Sequence, residues 1–429
     1  MIKTIKQRLR LNKIQYDILN DMSYQSKNIY NQSLYLVRQH YFDHKQYLSY
    51  PKVYHLMKNQ DLYRKLPTWC AQQTMKMVDK SFKSFFGLLR MKNNGTYKEK
   101  IKIPHYKGKD EKFILIFPYK SNFAKIKNNK ILLPITKEFK KEYKIKFLEI
   151  NFNYDVKDKK ILEFRIIPKS NFFEIEIVYE DQKVKQKVKG DNRLSIDLGL
   201  NNLLTCFDLN NQKSFIIDGK EIKSINQFFN KKISSLKSIL KIVNDKNNSH
   251  QIKRLWYKRE NILKDKIHKL TKYVIEYCEE NKITEIVIGN NKGWKQEVNL
   301  GKKNNQNFVS IPYNQIINYL KYKGEEKDIK VTVIEESYTS KCSSLSNEKI
   351  EKKNQYNGKR IFRGLFKDLT INKTINADLN GAINIMKKSN PKSSIKIGNS
   401  GYMINPVIIN NVKIDLLLKE NKYKNVQLS

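Results

Sequence analysis

Two aspartates carry most of the chemistry that this sequence offers, each inside a short and distinctive segment. In Ser195-Ile196-Asp197-Leu198-Gly199-Leu200 the aspartate interrupts an apolar run (Leu194, Ile196, Leu198), and a glycine follows directly after that run. Such a pattern reads as a carboxylate borne on a strand beside a close-packed turn. In Asn376-Ala377-Asp378-Leu379-Asn380-Gly381-Ala382 the aspartate opens a helix, with Ala382, Ile383, Ile385 and Met386 continuing at helical spacing. Hard divalent cations take oxygen ligands, so carboxylates that converge from neighbouring strand ends suit magnesium or manganese. Two such ions about 3.5–4 Å apart supply an in-line attacking water and a stabilised leaving oxygen, the needs of phosphodiester cleavage.

Composition names the substrate class. The chain has 429 residues, with 84 Lys+Arg against 42 Asp+Glu and a formal net charge of +42. So large an excess, spread along the length, calls for a polyanionic partner, and a nucleic acid is the one expected. No apolar run approaches the roughly 18 residues of a membrane-spanning helix, so a membrane partner is not expected. The segment Met1-Ile2-Lys3-Thr4-Ile5-Lys6 is basic without an apolar core of the secretory kind, and a cytoplasmic location is expected. The cysteines, Cys70, Cys206, Cys278 and Cys342, form no CxxC pair and read as buried small hydrophobes.

Hydrophobic period divides the chain. Residues 1–14 alternate apolar and basic as a strand does, and 15–91 change to helical period. A helix from near Pro67 carries Val78, Phe82, Phe85 and Leu89 as an apolar stripe, while Gln73, Lys76, Lys80 and Lys83 recur on another face. That second face is either a solvated surface or the wall of a nucleic-acid channel. Strands are then expected at 103–107, 113–117, 131–135, 144–150, 161–167 and 172–179. From about 191 the order is α/β: strands at 194–200, 203–208 and 213–217, then a basic helical stretch over 221–281 that includes Arg254 and Arg259. A strand at 285–289, a helix near 312–325, a strand at 330–336 and the Asp378 helix complete it. The tail, 391–429, has no functional reading.

The ordered set of segments resembles TnpB, the RNA-guided endonuclease of small transposons, whose relatives include the miniature type V CRISPR effectors. Asp197 and Asp378 match the first and third catalytic motifs of its RuvC-like nuclease. Glu285-Ile286-Val287-Ile288-Gly289-Asn290 occupies the second, and Glu336-Ser337-Tyr338-Thr339-Ser340-Lys341 matches the family's tyrosine-threonine-serine segment. Leu66-Pro67 with Ala71-Gln72-Gln73, and Ile103-Pro104-His105-Tyr106-Lys107, match upstream segments. The resemblance implies an α/β plus β architecture. A β-barrel wedge domain (1–14 and 92–190) would carry an inserted helical recognition lobe (15–91). An RNase H-like (RuvC) α/β domain would follow at 191–390. It also implies a guide RNA, a double-stranded DNA target with its displaced single strand, and a magnesium-dependent cut beside a short adjacent motif. Gln72, Gln73, Lys76 and Lys80 are expected to face that motif, Arg254 and Arg259 to contact nucleic acid, and the chain to act as a monomer.

Two departures qualify this. Gly289 stands where the family's second-motif glutamate usually sits, so the third metal ligand must come from elsewhere. Glu335 and Glu336 end the adjacent strand, and alternation allows only one of them to face the site. The sequence leaves open which. The zinc ribbon that the family places in 341–372 is reduced to Cys342, with no histidine to complete a tetrahedral site, so no structural zinc is expected. A nuclease-inactive, RNA-guided DNA-binding repressor and a miniature type V effector are the alternative functions.

Overall fold

The computed structural model describes residues 1–427 apart from 121–122, 157–158, 182–186, 292–309, 347 and 391–404. Side chains are described up to residue 420, residue 244 excepted. The chain forms two compact units, Met1–Lys183 and Val184–Ser429.

In the first unit, β1 (Ile2–Arg8) is followed by α1 (Lys13–His44), which Asn12 and Gln15 start with a reciprocal capping box. Then come α2 (Tyr50–Met57), α3 (Asp61–Arg64) and α4 (Thr68–Asn93). The strands are β2 (Leu115–Pro118), β3 (Lys125–Lys127), β4 (Lys130–Leu133), β5 (Leu148–Asn151), β6 (Lys160–Pro168) and β7 (Phe173–Glu180), with α5 (Lys137–Glu142) before β5. They make a four-stranded sheet, β1-β7-β6-β2, and a three-stranded one, β3-β4-β5. Helices and strands share one apolar core, to which α4 gives Val78 and Phe82 and β6–β7 give Phe164, Phe173 and Ile175.

The segment 103–107 is not a strand. At its end a side chain takes the place of a neighbouring strand, since Asn31 Nδ2 donates to the Lys107 carbonyl at 2.9 Å and Asn31 Oδ1 accepts from the Lys107 amide at 2.8 Å. Pro104 brings no N–H for a ladder. Phe113 likewise hydrogen-bonds Ser23 of α1, so the expected 113–117 strand begins only at Leu115.

The second unit opens with an antiparallel meander: β8 (Asn192–Leu198), β9 (Asn202–Asp208) and β10 (Lys213–Asp218). The basic stretch 221–281 is two helices, α6 (Lys220–Asn244) and α7 (His250–Glu280), because Asp245 takes a left-handed conformation. Then follow β11 (Ile283–Gly289), α8 (Tyr313–Glu326), β12 (Lys330–Ile334) and a small sheet of β13 (Gly358–Phe362), β14 (Leu365–Asp368) and β15 (Lys373–Asn376). Last are α9 (Ala377–Ser389), β16 (Val407–Ile409) and α10 (Asn411–Gln427). The main sheet runs β12-β11-β8-β9-β10-β16, parallel across its first three strands and again at β10–β16. The tail is therefore structural: β16 extends the sheet, and Ile414 of α10 is fully buried in its core.

Helix α7 covers the sheet with Leu263, Ile267, Leu270, Val274 and Cys278, a stripe at helical spacing. Helix α9 has almost no wet side. Leu379, Ala382, Ile383, Ile385 and Met386 are buried, and so are Asn380 and Asn384. Those two amides donate to backbone carbonyls of Cys342 and Thr339, which offsets part of the cost of burying them. The helix is thereby held against β8, where Ser195 Oγ donates to the Ala382 carbonyl at 2.6 Å.

Candidate active site

Strand β8 carries Asp197 to the end of the sheet where β9 turns back. Close approach is needed on both sides of it. A Cβ on Gly199 would collide with the Asn202 carbonyl, and a Cβ on Gly381 of α9 would lie 2.7 Å from Asp197 Oδ2. Both glycines leave the space that the carboxylate and its turn occupy. Asp378 enters from the first turn of α9, whose amides at Asp378 and Leu379 are capped by Asn376 Oδ1 at 3.0 and 3.1 Å.

Between β12 and α9 stands Glu336. Strand β12 ends at Ile334, so both glutamates lie just beyond it, and alternation separates them as expected. Glu335 is exposed and accepts from Ser337 Oγ, whereas Glu336 turns inward. Its Oε2 is buried with no hydrogen-bond partner among the described residues. A Cβ placed on Gly289 of β11 would lie 2.8 Å from that same oxygen. The glutamate carboxylate thus fills the room that a side chain at position 289 would need.

Asp197 feels the other two carboxylates. Burial, then the charges of Glu336 and Asp378, push the Asp197 carboxyl well above its ordinary range, against the opposing pull of Arg360. Burial pushes Glu336 up to about 7, with Lys388 acting the other way. Tyr313, at the start of α8, has its hydroxyl pushed up by burial and by the charges of Asp197 and Glu336. It donates to the Gly199 carbonyl at 2.9 Å and so pins the turn after β8.

Asp378 has other partners. Asn202 Nδ2 donates to its Oδ2 at 2.7 Å, and Arg360 of β13 donates to its Oδ1 at 3.2 Å. Among the described residues, no group of three or more acidic, histidine or cysteine side chains stands ready-made to hold a metal ion. Arg360 and Asn202 hold Asp378 through both of its oxygens. The donor chemistry still suits a divalent cation: Asp197 is raised by the charges of Glu336 and Asp378, and Glu336 carries an orphaned buried oxygen, so the site lacks a positive charge that an ion would supply.

Glu336 gives a stability prediction that is independent of activity. Its folded carboxyl holds a proton up to about pH 7, whereas an ordinary glutamate releases it near 4.5. Stability therefore falls as pH rises through that window, and the cost is complete above it, roughly 2–3 kcal/mol. Glu336→Gln is expected to raise the melting temperature by roughly 5 °C at pH 8 in EDTA, and to leave it unchanged below pH 4.5. Thermal unfolding at the two pH values checks this.

Sequence reasoning passed over Arg360, Asn202 and Tyr313. Asn202 lies three residues beyond Gly199, a signal that was readable; Arg360 sits in the ribbon region, which offered only absent cysteines. In that region Cys342 is buried, its thiol directed at the Lys349 carbonyl at 3.5 Å. The buried Glu348 accepts from the amides of Ser343 and Asn357. The other cysteines are buried and free as well.

The remaining expected contacts are scattered. On α4, Gln72, Gln73 and Lys76 are half-buried and Lys80 exposed; Lys76 Nζ lies 5.2 Å from the Tyr50 ring centre. Arg254 is exposed. Arg259 is half-buried and structural in its contacts, donating to Asn226 Oδ1 of α6 at 2.8 Å beside the Trp256 ring.

Comparison with known proteins shows what this chain is similar to. Residues 176–295 match a family described as a probable transposase (OrfB, IS605 type), and 313–385 match a Cas12f1-like TNB domain. TnpB-like protein ORF457 of Acidianus two-tailed virus is 25% identical over 410 residues, which is 85% of this chain and 81% of that protein. Among solved structures, Cas12f1 in its complex with sgRNA and target DNA aligns over 89% of this chain and 84% of its own. The TM-score is 0.57 at 16% identity, so the likeness is one of fold.

Proposed function

We propose that this chain, similar in parts to transposase and TnpB-like proteins, is a TnpB-type, RNA-guided, divalent-metal-dependent DNA endonuclease of a transposable element. The observation that carries the reading is Glu336, whose Oε2 is buried, has no hydrogen-bond partner among the described residues and stands in the space beside Gly289. Asp197, Glu336 and Asp378 would hold the magnesium or manganese ions in an RNase H-like (RuvC) unit. When bound, such ions activate a water and stabilise the leaving oxygen. The chain's own residues do the rest. Gly199 and Gly381 leave the room that the Asp197 carboxylate and the turn beside it occupy. Arg360, released from Asp378, has the fork of donors that suits a phosphate.

The first unit would serve as wedge and recognition lobe, gripping the guide RNA. Sequence would then be read by RNA–DNA pairing, with Gln72, Gln73, Lys76 and Lys80 beside a short adjacent motif. Exposed Arg254 would contact the backbone, and Arg259 would shape α6 and α7 behind it. A second reading, an RNA-guided repressor without cleavage, is favoured by one observation, the Arg360–Asp378 pair at 3.2 Å, which occupies a carboxylate the metal needs.

The deciding experiment purifies the protein from cells carrying its native flanking DNA, sequences the copurified RNA, and offers DNA targets with randomised flanks and Mg²⁺. A discrete RNA and Mg²⁺-dependent cleavage beside one flank are expected. RNA affinity should fall about a thousandfold between 50 and 200 mM salt, as counterions released from neutralised phosphates require. No discrete RNA would refute guided recognition, and tight target binding without cleavage would establish the repressor.

A further inference from the structure

The turn between β8 and β9 is more firmly built than a strand connection needs. Tyr313 donates to the Gly199 carbonyl at 2.9 Å, and the Gly199 amide donates to Leu203. The Asn201 carbonyl accepts from the Gly219 amide at 2.8 Å, and its side chain accepts from Lys223 Nζ at 3.4 Å. A register shift between β9 and β10 at Ile217–Asp218 falls opposite this turn. Irregularities of that kind re-aim side chains at sheet ends. What the turn presents is Asn202, whose Nδ2 reaches Asp378 Oδ2 at 2.7 Å.

The two partners of Asp378 differ in kind. Arg360 is a cation with a side chain 43% exposed, on the edge of a small hairpin, and its charge competes with a metal for Oδ1. Asn202 is neutral, part-buried and anchored by its backbone. An amide donor occupies one lone-pair direction of Oδ2 without cancelling the carboxylate's charge. We propose that Asn202 is a positioning residue for Asp378. It fixes the rotation of the carboxylate through Oδ2, so that Oδ1, the oxygen Arg360 now covers, is the one offered to the metal. This rests on the endonuclease reading above and extends it to a residue outside the three carboxylates.

The test titrates Mn²⁺ into RNA-loaded protein and follows free Mn²⁺ by electron paramagnetic resonance, without DNA. Wild type, Asn202→Ala, the near-isosteric Asn202→Leu and Arg360→Gln are compared, with melting temperature and RNA retention checked for each. Both Asn202 variants should bind Mn²⁺ about tenfold or more weakly, as loss of a group that orients a metal ligand does. The Mg²⁺ concentration for half-maximal cleavage should rise in parallel, and saturating metal should restore most of the rate. Arg360→Gln should shift Mn²⁺ affinity the other way. Wild-type Mn²⁺ affinity in both Asn202 variants overturns the inference, and so does weakening by Arg360→Gln as well, which would mean that losing any partner of Asp378 loosens the site. A wild type that neither binds Mn²⁺ nor cleaves fails earlier, at the endonuclease reading.

Discussion

Glu336→Gln is expected to reduce cleavage of a matched target about a thousandfold, and Glu335→Gln to leave it within about twofold. Gln keeps the shape and volume of Glu but not its charge, so the contrast isolates electrostatics. Glu336 is half-buried near Asp197, with its Oε2 buried and unpartnered, whereas Glu335 is exposed and bonded to Ser337. A metal ligand that supplies charge at the reacting centre contributes several kcal/mol to the transition state, and about 4 kcal/mol is a factor of a thousand. Asp197→Ala should match the Glu336 variant, since both act on the same ions. Guide and target binding should persist in all of them. Time courses at saturating Mg²⁺, with binding followed by gel shift, decide the matter. Equal activity in the two glutamine variants would remove Glu336 from the site.

The second large effect concerns Gly289. Returning a glutamate to β11 in the present background should abolish cleavage, because its Cβ would stand 2.8 Å from Glu336 Oε2 and 2.9 Å from Ile385 Cγ1. A Cβ does not tolerate either approach, and crowding of this kind costs about 1–3 kcal/mol in addition to displacing the glutamate. Making room should reverse the outcome. Gly289→Glu combined with Glu336→Ala and Ile385→Ala, which removes both Ile385 atoms that crowd position 289, returns a carboxylate to the same region from the neighbouring strand. It should cleave at least about tenfold faster than Glu336→Ala alone, a difference of about 1.4 kcal/mol in the barrier. The three variants, compared on one target with melting temperatures recorded, test whether positions 289 and 336 are interchangeable sources of one ligand. A folded, RNA-loaded triple variant no faster than Glu336→Ala would show that they are not.

The motif aspartates were legible because their signals are local. Asp197 sits in a strand-like apolar run and Asp378 behind an asparagine cap, and each pattern is complete within about seven residues. The same holds for α4, α7 and the β8–β10 meander, where periodicity matches the element that formed. Local signals failed where a distant group took over the backbone's hydrogen bonds. Residues 103–107 read as a strand, yet at Lys107 it is Asn31, on a helix far upstream in sequence, that supplies the partner a neighbouring strand would have supplied. The tail failed for a related reason: Val407–Ile409 is too short to read as a strand until β10 stands beside it.

By itself, then, the sequence determined the basic charge that calls for a polyanionic partner, most of the helices and strands that carry the site, and the two motif aspartates. Charge and periodicity depend on neighbours along the chain. It narrowed the third carboxylate to Glu335 or Glu336, since side chains on an extended backbone must alternate, but could not say which face of β12 looks inward. Only the tertiary structure decided that, through contacts made across strands. Gly289 leaves a space on β11, α9 closes over it, and Glu336 is the residue whose side chain enters. It also brought in Arg360 and Asn202, whose roles come from lying against Asp378 and from nothing in their own surroundings in sequence.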